Sequence, residues 1–252
     1  AKVSQGQIVT PLQYGGFEQW TSHPGYSVTV LIFPLSVYSS YSTPTGWNYL
    51  AYPVNESVTY SGITVNVNTD LPLIKCSQVT SGAPEGSKAL RLQTFKASDI
   101  ISSTVYSLAA SSLDTQLTNM VVPAALFTAE ANLTNMMTLI PTLESGISNP
   151  MSMLSMLSTL DVNDYLTGGI AVDSLVPDRL TGYYKFTSAQ GGDNGGVLLI
   201  GTRYNTTTHR RQVVGGGINL GHVLGGNPNE KVVLRVADSA VLETASRTTV
   251  GH

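Results

Sequence analysis

The order of apolar and polar positions divides the chain into three textures. In the first, from about Gln7 to Gln93, short apolar runs are broken by Pro and Gly. Ile63-Thr-Val-Asn-Val67 alternates residue by residue, the period of a strand covered on one face. Lys88-Ala-Leu-Arg-Leu-Gln-Thr94 sets Ala89 and Arg91 opposite Leu90 and Leu92 in the same way. Tyr26-Ser-Val-Thr-Val-Leu-Ile-Phe33 alternates and then turns continuously apolar, which predicts a strand with a buried end. Pro34, Pro44 with Gly46, Pro53, Gly62 and Gly82-Ala-Pro84 mark the turns between these runs.

The middle texture is helical. Leu133, Met136, Met137 and Ile140, then Met151, Leu154 and Leu157, recur at the spacing of one helix face. Asn149 and Pro150 suit the cap and first turn of a second helix, and Pro141 is expected to kink or end the first. Residues 130–160 therefore read as a short helical insertion. Five of the six methionines fall between Met136 and Met156, where they fill an irregular core or, alternatively, form a malleable surface for a protein partner.

Strand texture returns after Gly168. Gly182-Tyr-Tyr-Lys-Phe-Thr187, Val197 to Ile200, Arg211 to Val214 and Lys231 to Val236 are separated by turn signals, including Gly191-Gly-Asp-Asn-Gly-Gly196. The pattern predicts a mostly β fold, an antiparallel β-sandwich or jelly roll spanning residues 1–252 as a single domain.

Composition changes this picture in one direction. Only 12% of residues are charged, about half the usual share, while Ser, Thr, Asn and Gly are abundant. Such a surface suits hydrogen bonding to neutral ligands. A formal charge of −3, with His209-Arg210-Arg211 as the densest basic stretch, excludes a nucleic-acid partner, which would require a concentrated cationic footprint. The single cysteine, Cys76, excludes an internal disulfide and any multi-cysteine zinc site, and reads as a small apolar residue. No run approaches the length of a membrane span.

Three segments carry a family likeness. Tyr14-Gly-Gly-Phe-Glu-Gln-Trp20, with Pro44-Thr-Gly-Trp47 downstream, resembles the "G-x-F-E … G-W" opening of bacterial carbohydrate-binding jelly rolls. Ser81-Gly-Ala-Pro-Glu-Gly-Ser-Lys-Ala-Leu-Arg-Leu92 is similar to their "G-S-x-A-L-x-L" strand. Pro177-Asp-Arg-Leu-Thr-Gly-Tyr-Tyr-Lys-Phe186, followed by Gly192-Asp193, resembles a "P-L-x-G-Y-Y-K … G-D" strand. That strand recurs in the carbohydrate-metabolism domains of Bacteroidetes secreted and surface proteins. The resemblance implies a galactose-binding-like jelly roll, export to the cell surface or medium, and attachment to a surface or to a larger glycan-processing protein. It also implies that Glu18 helps hold a structural calcium. That cation takes six to eight oxygen ligands, and few further carboxylates are in view. Asp161-Val-Asn-Asp164 begins like a calcium loop but places Tyr165 where the next oxygen belongs. No other cofactor is expected.

Sugar binding by such folds stacks aromatic rings on a pyranose face and fixes its hydroxyls with polar side chains. Tyr38, Tyr41, Trp47, Tyr49 and Tyr52 form an aromatic stretch amid Ser, Thr and Pro. Tyr38, Tyr41 and Tyr49 are candidates for an exposed platform, and Trp47 either joins it or plugs the end of the sandwich. Tyr183 and Lys185 share one face of their strand, opposite Tyr184 and Phe186, and with Arg91 they form a second set of candidate ligand contacts. No catalytic or phosphate-binding motif is present, and Gly215-Gly-Gly-Ile-Asn-Leu-Gly221 reads as a glycine-rich turn or bulge. His23, His209 and His222 lie in separate segments without metal-ligand spacing. The expected function is a non-catalytic carbohydrate-binding module with a glycan partner. The alternatives are an adhesion module for another surface protein and a glycoside hydrolase drawing on Glu18, Glu85, Asp178 or Asp193.

Overall fold

The computed structural model describes residues 11–83, 85–109, 119–146, 159, 161–171, 179–185, 187, 195–220, 230–235 and 237–238. The fold is mostly β, and its strands pair antiparallel. The chain divides into two compact units: Ala1–Glu130 with Gly168–Ile170, and Ala131–Thr167 with Ala171–His252.

The first unit is a series of strand pairs. β1 (Trp20–His23) pairs with β4 (Tyr41–Pro44), and β2 (Tyr26–Val30) with β3 (Phe33–Tyr38). β5 (Leu50–Tyr60) and β6 (Ile63–Leu73) form the longest hairpin of the unit. β7 (Cys76–Val79) pairs with β8 (Ala89–Leu92), and β9 (Phe95–Lys96) with β10 (Val121–Val122). A 3₁₀ turn at Ala97–Asp99 leads to helix α1 (Ser103–Ala109). Ser102 caps this helix: its Oγ accepts from Val105 N at 3.3 Å, satisfying a donor that the first turn leaves unpaired.

The alternation read in the sequence becomes a core here. Along β5, Leu50, Val54 and Val58 point inward, and along β6 so do Val67, Leu71 and Leu73. Helix α1 packs against β3 and β5, and β2 packs against β6. Val37, Val54, Val58, Val67, Leu71, Ile101 and Val105 border one apolar interior. Burying each such side chain stabilises the fold by about 1.5–3 kcal/mol. The outward face of the same hairpin is polar, with Ser57 Oγ donating to Asn66 Oδ1 at 2.8 Å and Thr59 and Thr64 sharing a hydrogen bond at 2.9 Å.

One strand expectation is overturned. The apolar end Leu31-Ile32-Phe33 is not buried: Leu31 and Ile32 form the tip of the β2–β3 hairpin, and the three residues are 69%, 82% and 65% exposed. The run is cut because Leu31 takes a left-handed backbone, φ 59°, which reverses the chain and pairs Val30 with Phe33. Periodicity alone does not separate a buried strand end from a turn built of apolar residues.

Two three-residue strands, β11 (Ala129–Ala131) and β12 (Leu166–Gly168), lie where the chain passes between units. In the second unit, helix α2 (Leu133–Gly146) occupies the first expected helix. Asn132 caps it, with Oδ1 accepting from Asn135 N at 3.1 Å, and Met136 and Leu139 are buried while Met137 is exposed. The helix continues past Pro141 to Gly146 rather than ending there. The second expected helix, at Pro150 to Thr159, lies outside the described residues apart from Thr159.

Helix α3 (Val162–Tyr165) is capped by Asp161 and fastened to the next strands by polar contacts. β14 (Gly196–Asn205) pairs with β15 (Arg210–Leu220), which also pairs with β17 (Ala237–Asp238), and β13 (Arg179–Tyr184) pairs with β16 (Glu230–Arg235). Asn163 acts as a short strand toward β15, donating to Arg211 O and accepting from Arg211 N, both at 2.8 Å. Arg210 lies 2.8 Å from Asp161, so the segment that begins like a calcium loop spends its first carboxylate on a helix cap and an ion pair. The glycine run of β15 adjoins a register shift between Gly201 and Thr202, with Gly215 facing Gly201.

Candidate functional site

The first unit carries an open cleft of about 900 Å³, a volume within the range of small-ligand sites. Pairing of β1 with β4 builds one wall. The register sets His23 opposite Tyr41, and their rings stack with centroids 4.7 Å apart and planes 13° from parallel. Nε2 of His23 and Oγ1 of the buried Thr43 share a hydrogen bond at 2.9 Å. This contact and the ring stack fix the imidazole orientation.

Tyr49 stands edge-on to both rings, 5.9 Å from Tyr41 and 6.1 Å from His23 between centroids. The Tyr41 and Tyr49 hydroxyls share a short hydrogen bond, 2.5 Å. Burial first, and then that bond, raise the Tyr41 pKa well above the ordinary phenol value, so Tyr41 stays neutral across the physiological range. Tyr38 closes the aromatic row, edge-on to Tyr41 at 6.4 Å, with its hydroxyl 3.3 Å from Thr69 Oγ1. Trp47 also lines the cleft, and it has structural contacts as well: its Nε1 donates to Tyr14 O at 3.1 Å and its ring packs on Phe17 at 5.3 Å. Asp70 and Glu130 add two exposed carboxylates to the lining.

Four of the aromatic positions singled out in the sequence, Tyr38, Tyr41, Trp47 and Tyr49, thus line one cleft. His23, Thr43, Asp70 and Glu130 were not singled out. Nothing local marks them. His23 reaches the site through a pairing with a strand about twenty residues away, and Glu130 arrives from beyond α1.

The remaining candidates are not among the residues that line it. Arg91 is exposed on β8, where it pairs with Ser77. Tyr183, 40% exposed on β13, pairs with Lys231, and Lys185 follows that strand, exposed. Phe186, Asp178 and Asp193 lie outside the described residues.

Glu18 is fully engaged within the chain. Its Oε1 accepts from Ser87 N at 2.8 Å and Lys88 N at 3.1 Å, and its Oε2 from Ser87 Oγ at 2.6 Å. Lys88 Nζ donates to Glu18 O at 2.8 Å. A Cβ on Gly86 would stand 2.1 Å from Glu18 Oε1, so only glycine admits the carboxylate there. The Ser87 hydroxyl, then the Ser87 and Lys88 amides, hold the Glu18 carboxyl below the usual carboxylate range. A calcium ion at Glu18 would have to displace these donors. Among the described residues, no three or more His, Cys, Asp or Glu side chains gather as a metal site, and no helix is long and apolar enough to cross a membrane.

The segments that carry the resemblance in the first half of the chain meet through these contacts. Residues 14–20 touch Trp47 through Tyr14 and Phe17, and touch Ser87 and Lys88 through Glu18. No family model matches the chain, and comparison with curated proteins and with solved structures gives no match.

Proposed function

We propose that the chain is a non-catalytic carbohydrate-binding module of an exported or cell-surface protein, folded as a β-sandwich of the galactose-binding-like jelly-roll kind. The observation that carries this reading is the gathering of Tyr38, Tyr41, Trp47 and Tyr49 with His23 along one open cleft that threonine hydroxyls, Asn48 and the carboxylates of Asp70 and Glu130 also line. Aromatic faces at such a site cover the apolar face of a sugar ring, and Thr21, Thr45 and Asn48 offer hydrogen bonds to its hydroxyls. Tyr183 and Lys185, in the second unit, and Arg91, in the first, are proposed as glycan contacts separate from this cleft.

The test is calorimetric titration of the full chain with a panel of oligosaccharides. Binding in the micromolar range, weakened about tenfold or more by Tyr49→Ala and by Tyr38→Ala in variants with native circular dichroism, is the expected result. No binding across the panel, or binding untouched by both variants, overturns the proposal. Retention of glycan by Tyr183→Ala at wild-type strength removes Tyr183 from the proposed contacts.

Adhesion to another protein is the second reading, favoured by the exposed Leu31-Ile32-Phe33 tip. It predicts that serine at these three positions abolishes cell adherence while oligosaccharide titrations stay unchanged.

A further inference from the structure

The cleft has an unbalanced charge. The chain between Glu18 and Glu56, which supplies most of its walls, contains no Asp, Glu, Lys or Arg. Among the described residues, the charged side chains that line it are Asp70, on β6, and Glu130, on β11, and no lysine or arginine joins them. An anionic sugar such as a uronic acid would bring its carboxylate to a site with two like charges and, among the described residues, no cationic partner. A cation meets the opposite situation. Ring faces carry negative electrostatic potential, and the rings of Tyr38, Tyr41, Tyr49 and Trp47 line the same cleft as the two carboxylates.

We propose that the cleft selects sugars bearing a free, protonated amine over their neutral and acidic counterparts. This rests on the glycan-binding reading above and narrows its substrate class. The ring row receives the apolar face of the amino sugar, and the ammonium group lies between ring faces and the carboxylates of Asp70 and Glu130. Both carboxylates are exposed, so their attraction is moderate and screened by salt, and the preference is a matter of fold-change rather than all or nothing.

The experiment titrates the full chain at low ionic strength with glucosamine tetramer, N-acetylglucosamine tetramer and galacturonic acid tetramer. The expected order places the amine about five- to tenfold tighter than the N-acetyl form, with the uronic acid weakest. The ratio of amine to N-acetyl affinity falls as salt is raised, and the double variant Asp70→Asn with Glu130→Gln brings it close to one. Equal affinity for amine and N-acetyl forms, a preference for the uronic acid, or a ratio unmoved in the double variant overturns the inference and leaves the glycan-binding reading standing. Failure of all three sugars, together with every other glycan of the panel, sinks that earlier reading instead. A lysine-rich peptide that binds more tightly than the amino-sugar tetramer also overturns the inference, since the site would then read cationic side chains.

Discussion

Two hairpins of the first unit share a topology and differ in what makes them turn. β5–β6 reverses at Ser61-Gly62, with φ 51° and 79°, the pair of left-handed conformations that matches the twist of the flanking strands. β2–β3 reverses at Leu31-Ile32, where Leu31 alone is left-handed, the first-position geometry that usually calls for glycine. In the first hairpin, turn chemistry and apolar alternation agree. In the second, the turn is imposed on residues that favour neither the conformation nor the exposure. The strands of β2–β3 must therefore be held by their packing, Val28, Val30 and Val37 being buried, rather than by their turn.

The largest test of this contrast lies in the shared interior. Leu71→Ala removes a side chain that is 0% exposed and is expected to cost about 2–5 kcal/mol in urea unfolding. A loss below about 1 kcal/mol would mean that the interior collapses around the site or is not the main support of the hairpins. Next come the turns, with opposite signs. Leu31→Gly relieves a left-handed leucine and is expected to raise stability by about 1 kcal/mol, whereas Gly62→Ala is expected to lower it by about the same amount. Equal signs from the two substitutions in chemical denaturation would break the comparison. Ile32→Ser, at an exposed tip position, should change stability by no more than about 0.5 kcal/mol.

The smallest effect concerns a loop fastened by a side chain rather than by its own turn. Glu18 holds Ser87 and Lys88, and its folded pKa lies below the ordinary value of 4.5. Its contribution is therefore fully present above that ordinary value and lost as pH falls through the lower folded pKa. Glu18→Gln should show its deficit against the native chain at neutral pH, and the two unfolding curves should converge in acid. A deficit that persists unchanged well below pH 4.5 would assign the loss to packing instead.

Much of the strand content was legible because period-two alternation is local: Ile63 to Val67 and Ala89 to Leu92 are strands as read. Helix α2 was legible from the spacing of Leu133, Met136, Met137 and Ile140, although Met137 is exposed, and Asn132 supplies the cap its residue type favours. The tip at Leu31 was not, since a left-handed leucine is fixed by tertiary packing and carries no mark in its own sequence. At Pro141, where a kink or an end was expected, α2 runs on to Gly146. For the cleft, aromatic crowding between Tyr38 and Tyr49 marks a stretch of chain that lines it. The partners that complete the cleft come from strand register and from residues far along the chain, neither of which composition encodes.

Cys76, at the start of β7, donates its thiol hydrogen to Ser42 O at 3.2 Å, and burial pushes its pKa up to about 11. With so few thiolates at neutral pH, about one molecule in ten thousand, maleimide dyes and alkylating agents find almost no nucleophile there until the chain unfolds. The protein thus comes with a silent native sulfur. A reporter cysteine placed beside the cleft could be labelled without first removing the resident one, and a colorimetric thiol assay on the unlabelled chain would read global unfolding directly.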